Sequence, residues 1–187
     1  MGTLLWPTTQ DAASGTWDSG GVADIDEQII PTVGSPDATF LESAYSDDNQ
    51  EYIVDGWAIQ GGGSLSDSYT SITTIKAWVY GRRSGTPDPV ALRVKVNGTW
   101  TSSYDLTMTT SNAWHSYEWA GSWSNAHVEA ADFGMGLGED ADAYYVGVAC
   151  LEVAGPAVAA PNNYGIVTGA SAWGGFKKSF WRGGFVQ

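Results

Sequence analysis

The chain has 187 residues, with 21 acidic side chains against 8 basic ones and a formal charge of −13. That length suits one domain with a real core. The charge disfavours a sequence-blind nucleic-acid binder, because the phosphate backbone would repel it, and one cysteine, Cys150, allows neither an intrachain disulfide nor a cysteine-based zinc site.

Residues 1–20 are rich in Thr, Ser, Gly and Asp around Trp6 and Trp17, and read as an extended arm. The start lacks the basic residues and long apolar run of a signal peptide. No stretch approaches the ~18 apolar residues of a membrane helix, and the single thiol suits a reducing cytoplasm. A first strand is expected over Val22–Asp26, and short strands over Phe40–Ala44 and Glu51–Val54 flank the acidic loop Asp47-Asp48-Asn49-Gln50. Gly61-Gly62-Gly63 reads as a loop or bulge. From Ser71 the period-2 signal sharpens, as Ile75, Ala77 and Val79 alternate with Lys76, Trp78 and Tyr80. Leu92, Val94 and Val96 alternate with Arg93 and Lys95, and Asn97-Gly98 then predicts a hairpin turn before Trp100. Leu106 and Met108 continue the pattern. His115, Tyr117 and Trp119 oppose Ser116 and Glu118, and Phe133, Met135 and Leu137 are separated by glycines. Tyr144–Val153 is nearly all apolar, as a strand buried on both sides would be.

Glycine supplies 24 residues, against a usual ~7%, and Trp and Tyr are heavily used, while no segment sustains a helical period. The expected fold is all-β: an antiparallel β-sandwich of jelly-roll type over residues 21–154. An N-terminal arm over 1–20 and a linker with a C-terminal arm over 155–187 complete it.

Chemistry-bearing constellations are sparse. Asp47, Asp48 and Glu51, with Asp24, Asp26 and Glu27 upstream, offer hard oxygen ligands for Ca²⁺, but the spacing fits no EF-hand and a solvated acidic loop is the plainer reading. No carboxylate pair is marked out for glycoside hydrolysis. His115 lies in an aromatic strand and His127 in a turn, and Cys150 sits in the most apolar segment as a core thiol. Neither a cofactor nor a catalytic residue is therefore expected. Trp78, Tyr80, Trp100, Trp114, Trp119 and Trp123 admit two readings. They form a platform on which sugar rings stack, or they are core and subunit-contact residues, the reading favoured for Trp78 because Trp and Tyr are enriched at interfaces.

The segment Trp173–Gln187 stands apart in composition. It holds Trp173, Phe176, Phe180, Trp181 and Phe185 beside Lys177, Lys178 and Arg182, without a carboxylate, whereas the chain before Lys76 carries twelve acids and no base. Burying five such rings contributes roughly 8–15 kcal/mol gross, at about 1.5–3 each. Paired glycines prevent the segment from sheltering them itself, so it packs back on its own sandwich as a lid, docks as an extended arm on a neighbour, or lies on a membrane surface. The docking arm is the favoured reading and the membrane, opposed by the domain's negative charge, the last. The expected partner-binding set is this segment with Trp6, Trp17, Trp78 and Tyr80.

The order Asp26-Glu27, Asp47-Asp48-Asn49-Gln50-Glu51-Tyr52-Ile53, Ile75 to Arg83 and Trp114-His115-Ser116-Tyr117-Glu118-Trp119 resembles small β-sandwich virion proteins of tailed bacteriophages. The resemblance implies a structural role on the particle, as a capsid decoration (cement) protein or a tail or fibre component. The implied location is the virion surface, after assembly in the host cytoplasm. Implied partners are the major capsid or another virion protein and further copies of the chain, a trimer being favoured, with no membrane and no nucleic acid. The alternative is a tail-fibre carbohydrate-binding module that stacks host glycan on exposed Trp residues.

Overall fold

A computed structural model of the chain describes residues 2–11, 17, 20–25, 28–34, 36, 39–43, 51–85, 89–136 and 143–159. Ten strands are found there: β1 (Thr3–Gln10), β2 (Leu41–Glu42), β3 (Glu51–Ile59), β4 (Ile72–Arg83), β5 (Val90–Val96), β6 (Thr99–Trp100), β7 (Tyr104–Leu106), β8 (Ala113–Trp123), β9 (Asp132–Gly136) and β10 (Tyr144–Ala154). Every pairing is antiparallel, in the order β6-β5-β9-β3-β1-β10-β4-β8, with β2 added to β10 and β7 to β5. Over the described residues the fold is nearly all-β, an antiparallel sandwich of jelly-roll type.

The alternation expected for β4, β5 and β8 is what makes two layers of this sheet. Val90, Leu92, Val94, Phe133, Met135, Tyr52 and Val54 on one half join Ile75, Ala77, Val79, Val146, Ala149, Leu151 and Val153 on the other in a single core cluster. Each Val, Ile, Leu, Met and Phe among them, fully buried, contributes about 1.5–3 kcal/mol gross. Strand β10 is paired along both edges, by β1 and β4. Its Ala149, Leu151 and Val153 enter the main core, while Cys150 on its other face is buried with Leu4 and Trp6, which accounts for its nearly unbroken apolar run. Asn97 and Gly98 both have positive φ, 53° and 74°, as the hairpin turn between β5 and β6 requires. On β9, Gly134 leaves the space that the Glu51 carboxylate fills as it crosses to Arg93; a Cβ there would overlap it.

The N-terminal stretch corrects the expectation of an arm. Residues Thr3–Gln10 form a strand inside the sheet, pairing β10 through Thr3–Leu5 and β3 through Leu5–Gln10. Thr-rich composition and Pro7 hid it, since proline within a run argues against a central strand. The pairing with β10 ends at Leu5, before the proline ring with its missing N–H is reached. The strand expected over Val22–Asp26 is instead a 3-10 turn at Val22–Asp24, closed by the Asp24 carboxylate, which accepts from Gly21 N–H at 2.7 Å. Ile25, fully buried, then docks on β10 by accepting from Ala149 N–H at 3.1 Å. The expected Glu51–Val54 strand runs on to Ile59, and one short helix, α1 (Asn125–Glu129), is capped by Ser124. The linker and C-terminal arm lie, from residue 160 on, outside the described residues.

Candidate functional site

Strand register places residues far apart in sequence in transverse rows on the outer face of β10, β4 and β8. Glu152, Lys76 and Glu118 form one row, because Glu152 pairs Lys76 and Lys76 pairs Glu118. Cys150, Trp78 and Ser116 form the next, Val148, Tyr80 and Trp114 the third, and Tyr145 beside Arg82 a fourth. From the Lys76 row to Arg82 is about 20 Å of strand.

The aromatic residues of this face contact one another. Tyr80 and Trp114 have ring centroids 5.2 Å apart at 54°, and Trp78 meets Trp114 edge-on at 6.4 Å. All are half-buried by their sheet neighbours. The Trp78 indole N–H donates to Glu152 Oε2 at 2.9 Å, while the other oxygen of that carboxylate accepts from Gly2 N–H at 2.7 Å. Glu152 thus fixes the ring's orientation and pins the start of β1 together. Beneath Trp78 lie Leu4, Trp6 and Cys150, a small apolar cluster separate from the main core. Trp114 and Tyr80 have no hydrogen-bonding partner for their polar atoms among the described residues.

Cations cap the stripe at both ends. The Lys76 ammonium lies 4.0 Å from the centroid of the Trp78 ring, and the Arg82 guanidinium 3.9 Å from that of Tyr145, each a cation–π contact. A hydrogen bond from Tyr145 to Glu42 raises the pKa of the Tyr145 hydroxyl above its ordinary value, with burial acting in the same direction. Thr74, Lys76, Glu118, Glu152 and Ala154 line a depression of about 140 Å³ at the foot of the stripe.

The structure separates the expected partner-binding residues. Trp78 and Tyr80 are together on this face. Trp6 is 4% exposed and belongs to the cluster beneath Trp78, and Trp17 is 6% exposed and packs against Tyr52 at 5.7 Å. These two are core residues rather than arm anchors: Trp6 is carried by β1 inside the sheet, and Trp17 belongs to the main core cluster. Trp173, Phe176, Lys177, Lys178, Phe180, Trp181, Arg182 and Phe185 lie outside the described residues. Trp119 is likewise core, donating to Ser102 O at 2.9 Å, and Trp100 lies under the Arg93 guanidinium at 4.1 Å on the other layer.

The suggested calcium ligands Asp26, Glu27, Asp47 and Asp48 also fall outside the described residues. Asp24 closes its own turn, and Glu51 holds Arg93 through two hydrogen bonds. Asp11, Asp55 and Asp132 do approach one another, with oxygens within 4.8 Å, but the Lys95 ammonium lies 2.9 Å from Asp132 and the Thr9 hydroxyl donates to Asp55. Lys95 supplies a positive charge beside these carboxylates. Cys150 and His115 point to opposite faces of the sheet, since Cys150 pairs with outward Trp78 and His115 with inward Val79. Burial drives the Cys150 thiol pKa far up, which keeps it protonated and inert.

Reasoning from sequence picked out Trp78, Tyr80 and Trp114 but missed Lys76, Glu118, Glu152, Arg82 and Tyr145 as their companions. One signal was available: Glu152 is the sole charge within the apolar run of β10.

No protein-family model matches the chain, and no curated protein matches it. Among solved structures it is similar to a family 35 carbohydrate binding module from an environmental isolate, with a TM-score of 0.43 and 12% identity over 84% of this chain and 98% of that one. A second is a Xyl-CBM35 in complex with a glucuronic acid containing disaccharide, at TM-score 0.38 and 13% identity over 79% and 92% of the two chains. A third is the CBM35 from Cellvibrio japonicus Abf62, at TM-score 0.38 and 13% identity over 82% and 93%. These likenesses are low.

Proposed function

We propose that the chain is a non-catalytic carbohydrate-binding module whose ligand lies along the outer face of β10, β4 and β8. The observation that carries this reading is the Trp78–Tyr80–Trp114 stripe, laid on a rigid sheet and bordered by polar groups that have room to accept and donate. Aromatic faces take the C–H face of a pyranose, and neighbouring carboxylates and ammonium groups bind its hydroxyls. A stripe of about 20 Å accommodates several sugar residues in line. The stiffness of paired strands holds the rings in place before ligand arrives, which lowers the ordering cost of binding.

Affinity electrophoresis or pull-down against a panel of polysaccharides tests the reading. Retention on at least one glycan is expected, weakened about 10- to 100-fold by Trp114→Ala, as for a ring at the centre of a contact. Trp114 is the better choice for truncation, because Trp78 also covers Leu4, Trp6 and Cys150. Unchanged retention by a folded Trp114→Ala variant contradicts the assignment. Adhesion to a capsid through residues 173–187 is a separate proposal, resting on the apolar and basic composition of that segment. Co-sedimentation with DNA-filled heads, lost when the segment is deleted, is its test.

A further inference from the structure

The polar row at the foot of the stripe has an unusual balance. Two carboxylates flank one ammonium, as Glu152, Lys76 and Glu118 are direct cross-strand neighbours. A lysine so placed would ordinarily pair with one of them. Here its ammonium leans instead onto the Trp78 ring, 4.0 Å from the centroid. Among the described residues the only ion pairs are Arg93–Glu51 and Lys95–Asp132, so Lys76 is bonded to neither glutamate. The Glu118 carboxylate, on an exposed residue, has no partner among the described residues. Each oxygen of Glu152 accepts one N–H, at 2.7 and 2.9 Å, which leaves further acceptor capacity on both. With Thr74 and Ala154 these groups line a depression of about 140 Å³ at the foot of the stripe.

From this geometry we infer that the depression is a subsite for a sugar unit bearing a protonated amine, a 2-amino-2-deoxyhexose, selected over N-acetylated and uronic acid units. The inference rests on the carbohydrate reading above and adds the ligand's charge. A ring stacked on Trp114 leaves a further unit of the same oligomer over the row, four residues along β8, where an ammonium donates to Glu118 and to the free acceptor positions of Glu152. Such charge-assisted bonds are stronger than those from a hydroxyl or an amide. The chain's formal charge of −13 acts in the same direction at longer range, attracting a cationic oligosaccharide and repelling a uronate. Lys76 is the local opposing charge, and its contact with the Trp78 ring holds it to one side of the depression.

Titration calorimetry on the full chain decides the matter, with three probes of equal length: a fully deacetylated glucosamine oligomer, its N-acetylated counterpart and an oligogalacturonate. The glucosamine oligomer should bind tightest and the oligogalacturonate weakest. Glu118→Gln should weaken binding of the glucosamine oligomer about five- to tenfold and leave that of the N-acetylated oligomer unchanged. Asp105→Asn makes the same change in net charge on the exposed residue of β7 and should alter neither. Equal binding of amine and N-acetyl oligomers, or equal weakening by both substitutions, overturns the subsite while leaving the stacking platform standing. Failure of all three oligomers and of every polysaccharide in the panel removes the platform and the subsite together.

Discussion

Glu152 couples the site to the fold at the level of single atoms. Its two oxygens hold Gly2 and the Trp78 indole, and hydrogen bonds to a charged group contribute about 1.5–3 kcal/mol each when partly buried. Glu152→Ala should therefore lower stability by roughly 2 kcal/mol or more, read from the urea unfolding midpoint, and broaden the Trp emission as the ring loses its anchor. A loss below about 0.5 kcal/mol would mean that water replaces both bonds. His115 makes a different contribution. Its Nε2 is buried without a partner, and burial lowers its pKa below 6.5 more strongly than the backbone hydrogen bond at Gly81 raises it. As pH falls through about 6.5, the unfolded chain takes up the proton first, so stability present at neutral pH declines until the lowered native pKa is reached. His115→Gln should flatten that part of the profile of Tm against pH between 7 and 5. If wild type and variant fall in parallel, the decline belongs to carboxylates elsewhere.

Among the elements, β1 departs furthest from what its composition suggests. A free arm can be removed without harm, but a strand paired on both sides cannot. Deleting residues 2–10 would unpair an edge of β3 and of β10 and expose Leu5 of the main core and the Leu4, Trp6 and Cys150 cluster. The truncated chain should be insoluble or lack a cooperative unfolding transition; a well-folded product would mean that β3 and β10 close directly on one another. The strands with clean alternation, β4, β5 and β8, were legible because period 2 is a local property of the chain. Strand β1 was not, since its apolar residues are only Leu4, Leu5 and Trp6 before Pro7. The candidate site was half legible in the same way. Trp78, Tyr80 and Trp114 show themselves as aromatics on the polar side of their strands. The Glu152–Lys76–Glu118 row depends on register between strands distant in sequence, which no local pattern encodes.

For the molecule as a whole, the described core and the sheet face are built from residues 2–159, with the main core cluster drawn from both layers. The strongly apolar and basic segment 173–187 lies outside the described residues. If the sandwich is self-sufficient, a chain ending at residue 159 should unfold cooperatively at the same temperature as the full chain, within the few degrees that about 1 kcal/mol represents for a domain of this size. Its affinity for glycan at the Trp114 stripe should be equally unchanged. A fall of more than about 1 kcal/mol on truncation would show that the segment's aromatic rings shelter on their own sandwich, and adhesion to a capsid through those rings would then lose its apolar driving force. Unchanged stability with loss of particle binding would separate the chain into two functions: a sheet face that reads sugar and a terminal segment that attaches the module to its assembly.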